Sequence, residues 1–237
     1  MKKFDFSIVV PFYNEGQNII QTYKEITNSL KTYNNYNYEI IFIDDGSNDD
    51  SFKYFKEIKN YEKIIILRNK INSGQSYSIQ LGARKSHSDT IITLDGDCQN
   101  NPADIPKLLK VYFQNDYSLV GGIRNKRKDN IIKIISSKFA NSIRRFILND
   151  NCLDTGCSLK IFDKNTFLKF PFFKGLHRFL PALFSGYNKT TFFIPVEHRY
   201  RKHGISKYGT FKRLFVGIFD LIRVVIIIKK FKRKQND

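Results

Sequence analysis

The chain has 237 residues, 41% hydrophobic and 26% charged, enough for one large or two small cores, and its wealth of isoleucine and phenylalanine excludes a disordered chain. Forty Lys and Arg against 22 Asp and Glu leave a net charge of +18, which points to an anionic partner, either nucleic acid or an acidic membrane surface. Three cysteines, Cys98, Cys152 and Cys157, exclude a disulfide framework and are expected as free buried thiols.

The first half alternates short β-branched runs with stretches of helical spacing. Strands are predicted at Ser7–Val10, Glu39–Ile43, Ile64–Leu67 and Thr90–Leu94, and helices at Glu15–Leu30, Asp49–Lys59 and Gln75–Lys85. Such alternation implies βαβ units, a mainly parallel sheet, and ligands beyond the carboxyl ends of its strands. Polar residues follow three of those strands: Pro11-Phe12-Tyr13-Asn14-Glu15, Asp44-Asp45-Gly46-Ser47 and Asp95-Gly96-Asp97-Cys98-Gln99. Acidic groups gathered on adjacent loops repel one another, and a hard divalent cation, Mg²⁺ or Mn²⁺, relieves that repulsion. Asp49 reads as a helix cap. Asp95-Gly96-Asp97 reads as a metal site, with the glycine expected to let the backbone bend. No glycine-rich phosphate loop follows a strand, which argues against a P-loop kinase or a dinucleotide dehydrogenase. Gly74 and Gly82 read as turn or packing positions.

The surplus charge is uneven. Residues 1–123 carry 14 basic and 15 acidic side chains. Residues 124–145 carry 8 and 1, and residues 198–237 carry 12 and 2, so these two segments hold 17 of the 18 units. An acidic first half disfavours a nucleic-acid-binding module.

Taken in order, the three strand-end motifs resemble the GT-A core of family 2 inverting glycosyltransferases. The similarity continues through Gln99–Pro106, Gly121–Arg124, Asp154–Lys160, His177–Pro181 and His203–Gly209, segments similar to the polyprenyl-phosphate, dolichol-phosphate mannosyltransferase-like branch. It spans roughly residues 6–228. The resemblance implies an α/β fold, a GT-A (Rossmann-like) mainly parallel sheet flanked by helices, with C-terminal amphipathic membrane-associated helices. It implies that Pro11, Tyr13 and Glu15 hold base and ribose, with Asp44 or Asp45 reading the base edge. Asp95, Gly96 and Asp97 would bracket metal and diphosphate, with Gln99 the third protein ligand to Mg²⁺ or Mn²⁺. Arg124 and Arg201 would grip the acceptor phosphate, with Ser137, Lys138 and Lys207 nearby. Several relatives carry arginine at the position of Lys138, and a lysine supplies a point charge without bidentate recognition. Asp95, Asp97, Arg124 and Arg201 are thereby the expected catalytic set.

The chemistry agrees with the charge map. A diphosphate leaving group develops negative charge that a metal stabilises. A lipid monophosphate acceptor is already a nucleophilic anion near neutrality, its second pKa being about 6, so it needs cations around it and no general base. Arg124, Lys126, Arg127, Lys128, Lys133, Lys138 and Arg201 supply that field. The expected reaction is transfer from a nucleotide-sugar, a UDP-sugar by similarity of the later motifs, to polyprenyl (undecaprenyl) phosphate, for cell-envelope glycan or lipid A modification. The alternative, transfer to a glycan hydroxyl, requires a base carboxylate, for which Asp154 is the candidate.

Two segments bear on membranes. Residues 131–147 place Ile131, Ile135, Phe139, Ile143, Phe146 and Ile147 on one stripe, a pattern that fits a core helix or one dipping into headgroups. Leu214–Ile228 spans about 22 Å as a helix, short of a roughly 30 Å hydrocarbon core, and ends in Lys229-Lys230-Phe231-Lys232-Arg233-Lys234. That reads as peripheral or monotopic attachment to an anionic surface. Met1-Lys2-Lys3 precedes only a short apolar run, so no signal peptide is expected. The expected location is the cytoplasmic face of the inner membrane. The expected organisation is a catalytic domain over residues 1–210, divided near 123 into nucleotide–metal and acceptor halves, and a membrane-associating helix with basic tail over 211–237.

Overall fold

The strand–helix alternation is realised almost residue for residue in the computed structural model, which describes residues 4–33, 35–58, 63–125, 141–200 and 210–236. β1 (Phe6–Phe12), α1 (Gly16–Leu30), β2 (Tyr38–Asp44), α2 (Ser51–Ile58), β3 (Ile64–Arg68), α3 (Gln75–Lys85) and β4 (Thr90–Thr93) follow in order. The second half contributes α4 (Ile105–Gln114), β5 (Leu119–Asn125), α5 (residues 141–148), β6 (Lys160–Asp163), α6 (Lys164–Leu168), α7 (Leu180–Gly186), β7 (Thr191–Glu197) and α8 (Thr210–Asn236).

The seven strands form one sheet in the order β3-β2-β1-β4-β6-β5-β7. β1 pairs in parallel with both β2 and β4, and β5 with β7. β6 alone runs antiparallel, between β4 and β5. β1 is buried along its whole length, because helices cover both faces of a parallel sheet and its strands therefore read as continuous apolar runs. Alternate residues serve opposite faces: Ile8, Val10 and Phe12 join the core under α1 and α4, while Val9 joins the one under α3. Gly82 lets α3 press onto that face, since a Cβ there would lie 2.6 Å from Val9 Cγ1.

α8 packs one face on α7. Leu221, Val224, Ile227 and Ile228 belong to the second core, and Gly186 admits the approach, a Cβ there meeting Ile228 at 2.5 Å. Tyr187 stacks on Phe231 with ring centroids 3.8 Å apart. The other face exposes Val216, Ile218, Phe219, Ile222 and Ile226. Among the described residues no helix is long and apolar enough to cross a membrane.

α5 departs from an ordinary amphipathic helix. Ile143, Phe146 and Ile147 face outward, Phe146 being 91% exposed, while Arg144 is buried. The guanidinium binds Asp150 Oδ1 at 2.9 Å, Asn141 Oδ1 at 3.2 Å and the Cys152 carbonyl. A buried ion pair therefore anchors α5, and its apolar side is left to the surface. Residues 131–140 of the expected stripe lie outside the described residues. The three cysteines are free and buried as expected.

Candidate active site

Because β1 lies between β2 and β4, the loops after these three strands meet at one edge of the sheet. The first two are laced together by backbone and amide groups. Asp45 N donates to Phe12 O at 2.9 Å and Asn14 N to Ser47 Oγ at 2.9 Å. Asn14 Nδ2 donates to Asn48 Oδ1, and Asn48 N donates back to Asn14 Oδ1. Asn14 adopts φ of 54° to do this, a left-handed conformation that asparagine tolerates better than most residues.

The acidic pair of the second loop is divided in role. Asp45 accepts three hydrogen bonds, from Asn69 Nδ2 at 2.7 Å, Ser73 N at 3.0 Å and Gly74 N at 2.8 Å. Its carboxylate is a brace between β2 and the start of α3. Asp44 is fully buried, accepts from Ser47 N at 2.8 Å through Oδ1 and faces Arg68 Nε at 3.2 Å through Oδ2. Asp49 caps α2 as expected, its Oδ1 accepting from Ser51 N at 2.9 Å. Pro11 is buried in β1 opposite Ile43, Tyr13 is half-buried just beyond it, and Glu15 accepts from Asn18 Nδ2 at 2.8 Å.

Asp95 and Asp97 follow β4 at this edge, each partly exposed. Desolvation, with the Asp95 charge adding to it, pushes the Asp97 carboxyl up to about 7. Asp95 is raised as well, by burial above all, against the lowering effects of Ser158, Lys160, Arg124 and Gln75. Two neighbouring carboxylates that resist ionising together want a cation between them, and this donor set fits a hard divalent metal. Among the described residues no group of three or more His, Cys, Asp and Glu side chains gathers around one point, so further oxygens must come from elsewhere. Gln99 is well placed in sequence: its Nε2 points to Arg199 O at 3.4 Å and its N–H to Asp97 Oδ1 at 3.1 Å. The glycine of the motif lies in a turn, as expected, and also admits a close approach. Gly96 has no positive φ; a Cβ there would lie 2.8 Å from Phe12 Cβ. Cys98 takes the left-handed turn instead, at φ of 59°, with its thiol buried against Thr22 and Asn18 O.

Several residues at this edge were not legible as site residues. Gln75, at the start of α3, donates from Nε2 to Asp95 Oδ1 at 2.6 Å. Beside it, Ser76 Oγ donates to Lys174 O at 2.7 Å and lies 2.7 Å from His177 Nδ1. With the hydroxyl proton committed to a carbonyl, the ring nitrogen must be the donor. Burial, then the charges of Arg178 and Lys160, push the His177 pKa down to about 3, so the ring is neutral and its Nε2 is an acceptor. Arg199 ties β7 to the site by bonding Glu25 Oε2 at 2.6 Å and Asn101 Oδ1 at 2.5 Å. His87 lies among Glu39 and Phe4, at the opposite end of the strands.

Arg124, at the end of β5, grips Asp154 in a fork: Nε to Oδ2 at 2.7 Å and Nη2 to Oδ1 at 2.8 Å, with the Arg124 N–H adding a third bond at 3.2 Å. Gly156 gives this pair room, a Cβ there falling 2.6 Å from Arg124 Nη2. Ser137, Lys138, Arg201 and Lys207 of the expected acceptor set lie outside the described residues, as do Lys126, Arg127, Lys128, Lys133 and His203.

This geometry has known counterparts. Residues 7–174 match the model of glycosyl transferase family 2. The chain belongs to glycosyl transferase family 2. Over 234 residues it is 31% identical to dodecaprenyl-phosphate galacturonate synthase of Rhizobium johnstonii, covering 97% of this chain and 69% of that protein. Over 219 residues it is 31% identical to undecaprenyl-phosphate 4-deoxy-4-formamido-L-arabinose transferase of Edwardsiella ictaluri, covering 91% and 66%. The chain thus spans about two thirds of the length of these family 2 relatives. Glucosyl-3-phosphoglycerate synthase of Mycobacterium tuberculosis, solved with Mg²⁺ and UDP, superposes with a TM-score of 0.69 over 95% of this chain and 79% of that one, at 14% identity. The fold is accordingly of the GT-A type.

Proposed function

We propose that this family 2 enzyme transfers a sugar from a nucleotide-sugar, a UDP-sugar by preference, to a polyprenyl phosphate. The observation that carries the reading is the pair Asp95 and Asp97, raised by burial, at the meeting point of the β1, β2 and β4 loops. The names of the relatives that match over nine tenths of the chain support the acceptor class. The UDP in the structural relative supports the base.

Pro11, Tyr13, Glu15 and Asp44 hold base and ribose, Asp45 serving to fix the loop on which Asp44 sits. Asp95, Asp97 and Gln99 hold Mg²⁺ or Mn²⁺. When bound, that ion supplies Lewis-acid stabilisation of the negative charge on the departing diphosphate. The chain's own residues do the rest: Gln75 orients Asp95, and Arg124 with Ser137, Lys138, Arg201 and Lys207 gathers the acceptor phosphate, Asp154 orienting Arg124. Transfer to a glycan hydroxyl is less well supported. It needs a free base, and the Asp154 carboxylate is committed to three donors of Arg124.

The exposed apolar side of α8 followed by Lys229, Lys230, Lys232, Arg233 and Lys234 supports peripheral attachment to the cytoplasmic face of the inner membrane. The test of function is incubation of the purified chain with undecaprenyl phosphate, Mn²⁺ and a panel of labelled UDP- and GDP-sugars. One donor is expected to yield labelled lipid; no labelled lipid from any donor would overturn the reading.

A further inference from the structure

Lys160 is an ammonium in an unusual place. Its side chain opens β6, and because β6 is antiparallel, its first residue stands at the carboxyl end of β4, paired with Thr93, two residues before Asp95. It is 3% exposed. Its Nζ donates to the carbonyls of Thr155, at 3.4 Å, and Cys157, and it forms no ion pair among the described residues, unlike Arg124. The ammonium is bonded to neutral carbonyls with the Asp95 charge nearby, and because a buried charge is costly unless paired, it needs a further anion once a cation occupies the carboxylates. The neighbouring charges define which anion. Arg124 and Asp154 cancel, leaving Lys160 against Asp95 and Asp97, a local balance of one negative charge. A divalent cation on the carboxylates turns that balance to one positive charge, and the ligand that then fits is an anion lying beside both the cation and Lys160.

We propose that Lys160 is a binding residue for the diphosphate of the nucleotide donor, contacting the phosphate that leaves with the nucleotide. A lysine suits this task because its ammonium is a compact point charge that phosphate oxygens can approach from several directions. The two carbonyls aim the ammonium. The inference rests on the donor reading above.

The experiment is calorimetry on the full chain with Mg²⁺, titrating UDP, GDP, their nucleosides, and farnesyl phosphate as a short acceptor analogue. Lys160→Gln keeps hydrogen bonds to the carbonyls and removes the charge. It is expected to weaken the nucleoside diphosphate about tenfold or more, as loss of a charge-assisted contact does, and to leave nucleoside and farnesyl phosphate unchanged. Lys160→Arg, which keeps the charge, is expected to restore most of the affinity. Unchanged diphosphate affinity in Lys160→Gln, a parallel loss for the nucleoside, or a loss confined to farnesyl phosphate each overturns the assignment. Should Lys160→Gln not fold, carbon-13 labelling of lysine Cε in the wild type answers instead. The Lys160 resonance is expected to move with UDP and not with uridine, and a resonance indifferent to both overturns the proposal. A wild-type chain that binds no nucleoside diphosphate overturns the donor reading itself.

Discussion

Gln75 Nε2 lies 2.6 Å from Asp95 Oδ1, and that bond is one of several by which residues 73–76, at the entry to α3, hold the site. Asp45 takes the Ser73 and Gly74 amides, Asp95 takes Gln75, and Ser76 secures Lys174 O and His177. The start of α3 therefore ties the β2 loop, the β4 loop and the segment before α7 together. Gln75→Ala is expected to leave Asp95 in place but unaimed, weakening Mn²⁺-dependent UDP binding by about tenfold, the worth of one hydrogen bond to a charged group. Gln75→Glu sets a third carboxylate against Asp95 and is expected to weaken it further. Calorimetry with and without Mn²⁺ checks both, and equal metal-free binding in all three proteins is part of the expected result.

The raised carboxyl of Asp97 gives a pH prediction with a definite sign. A folded-state pKa of about 7 against an unfolded value near 4 means that the folded chain binds the extra proton between those values. Without metal, this group's contribution to stability is present below about pH 4 and is lost as pH rises through about 7. Metal affinity runs the other way, because proton and cation compete, falling by up to about tenfold per pH unit below 7. Thermal melts of the metal-free chain from pH 4 to 8 are expected to show a decline that Asp97→Asn flattens. Mn²⁺ titrations over the same range are expected to tighten with pH.

The metal pair was legible because chemistry and position coincided in the sequence: Asp95 and Asp97 follow an apolar run directly, and every strand before them ends in polar residues. The four strands of the first half were legible for the reason that buried parallel strands are unbroken apolar runs. Gln75 and Lys160 were not legible. Gln75 finds Asp95 20 residues away, Lys160 is brought beside the β4 loop by an antiparallel strand pair, and glutamine or lysine in isolation carries no local pattern. Gly96 was read as a bend and lies in a turn, but its lack of a Cβ also answers the close approach of Phe12, a tertiary contact no spacing announces. Arg144 stands beside an apolar stripe in the sequence, where a charge signals exposure, yet it is buried with its partner Asp150.

Arg124 and Asp154 are expected to behave as one unit. Their side chains are only 13% and 7% exposed, and removing one partner of such a pair leaves a buried charge, a loss of about 3–5 kcal/mol. Arg124→Met and Asp154→Leu should each lower stability by an amount of that order, and the double variant should recover much of it. Denaturant unfolding of the four proteins closes the cycle. Losses that simply add would show that the two side chains act independently, and would reopen Asp154 as a base.

The outer face of α8 offers the last prediction. Phe219 is 70% exposed, Ile222 54% and Ile226 48%, whereas Val224 on the opposite side is fully buried. Exposed apolar side chains contribute little to folding, so Phe219→Glu with Ile222→Glu is expected to leave the melting temperature nearly unchanged. The same pair should abolish binding to vesicles containing anionic lipid, since charged groups replace the face that would enter the headgroup layer. Replacing Lys229, Lys230, Lys232, Arg233 and Lys234 by glutamine should weaken binding by about 1 kcal/mol per residue and remove its salt dependence. Val224→Ala, by contrast, removes buried methyl groups from the α7–α8 contact and should lower stability by about 1–2 kcal/mol without touching lipid binding directly. Vesicle sedimentation alongside thermal melts separates the two faces. A Phe219→Glu, Ile222→Glu protein that still sediments with the vesicles would show that α8 keeps its apolar side for another protein surface and not for lipid.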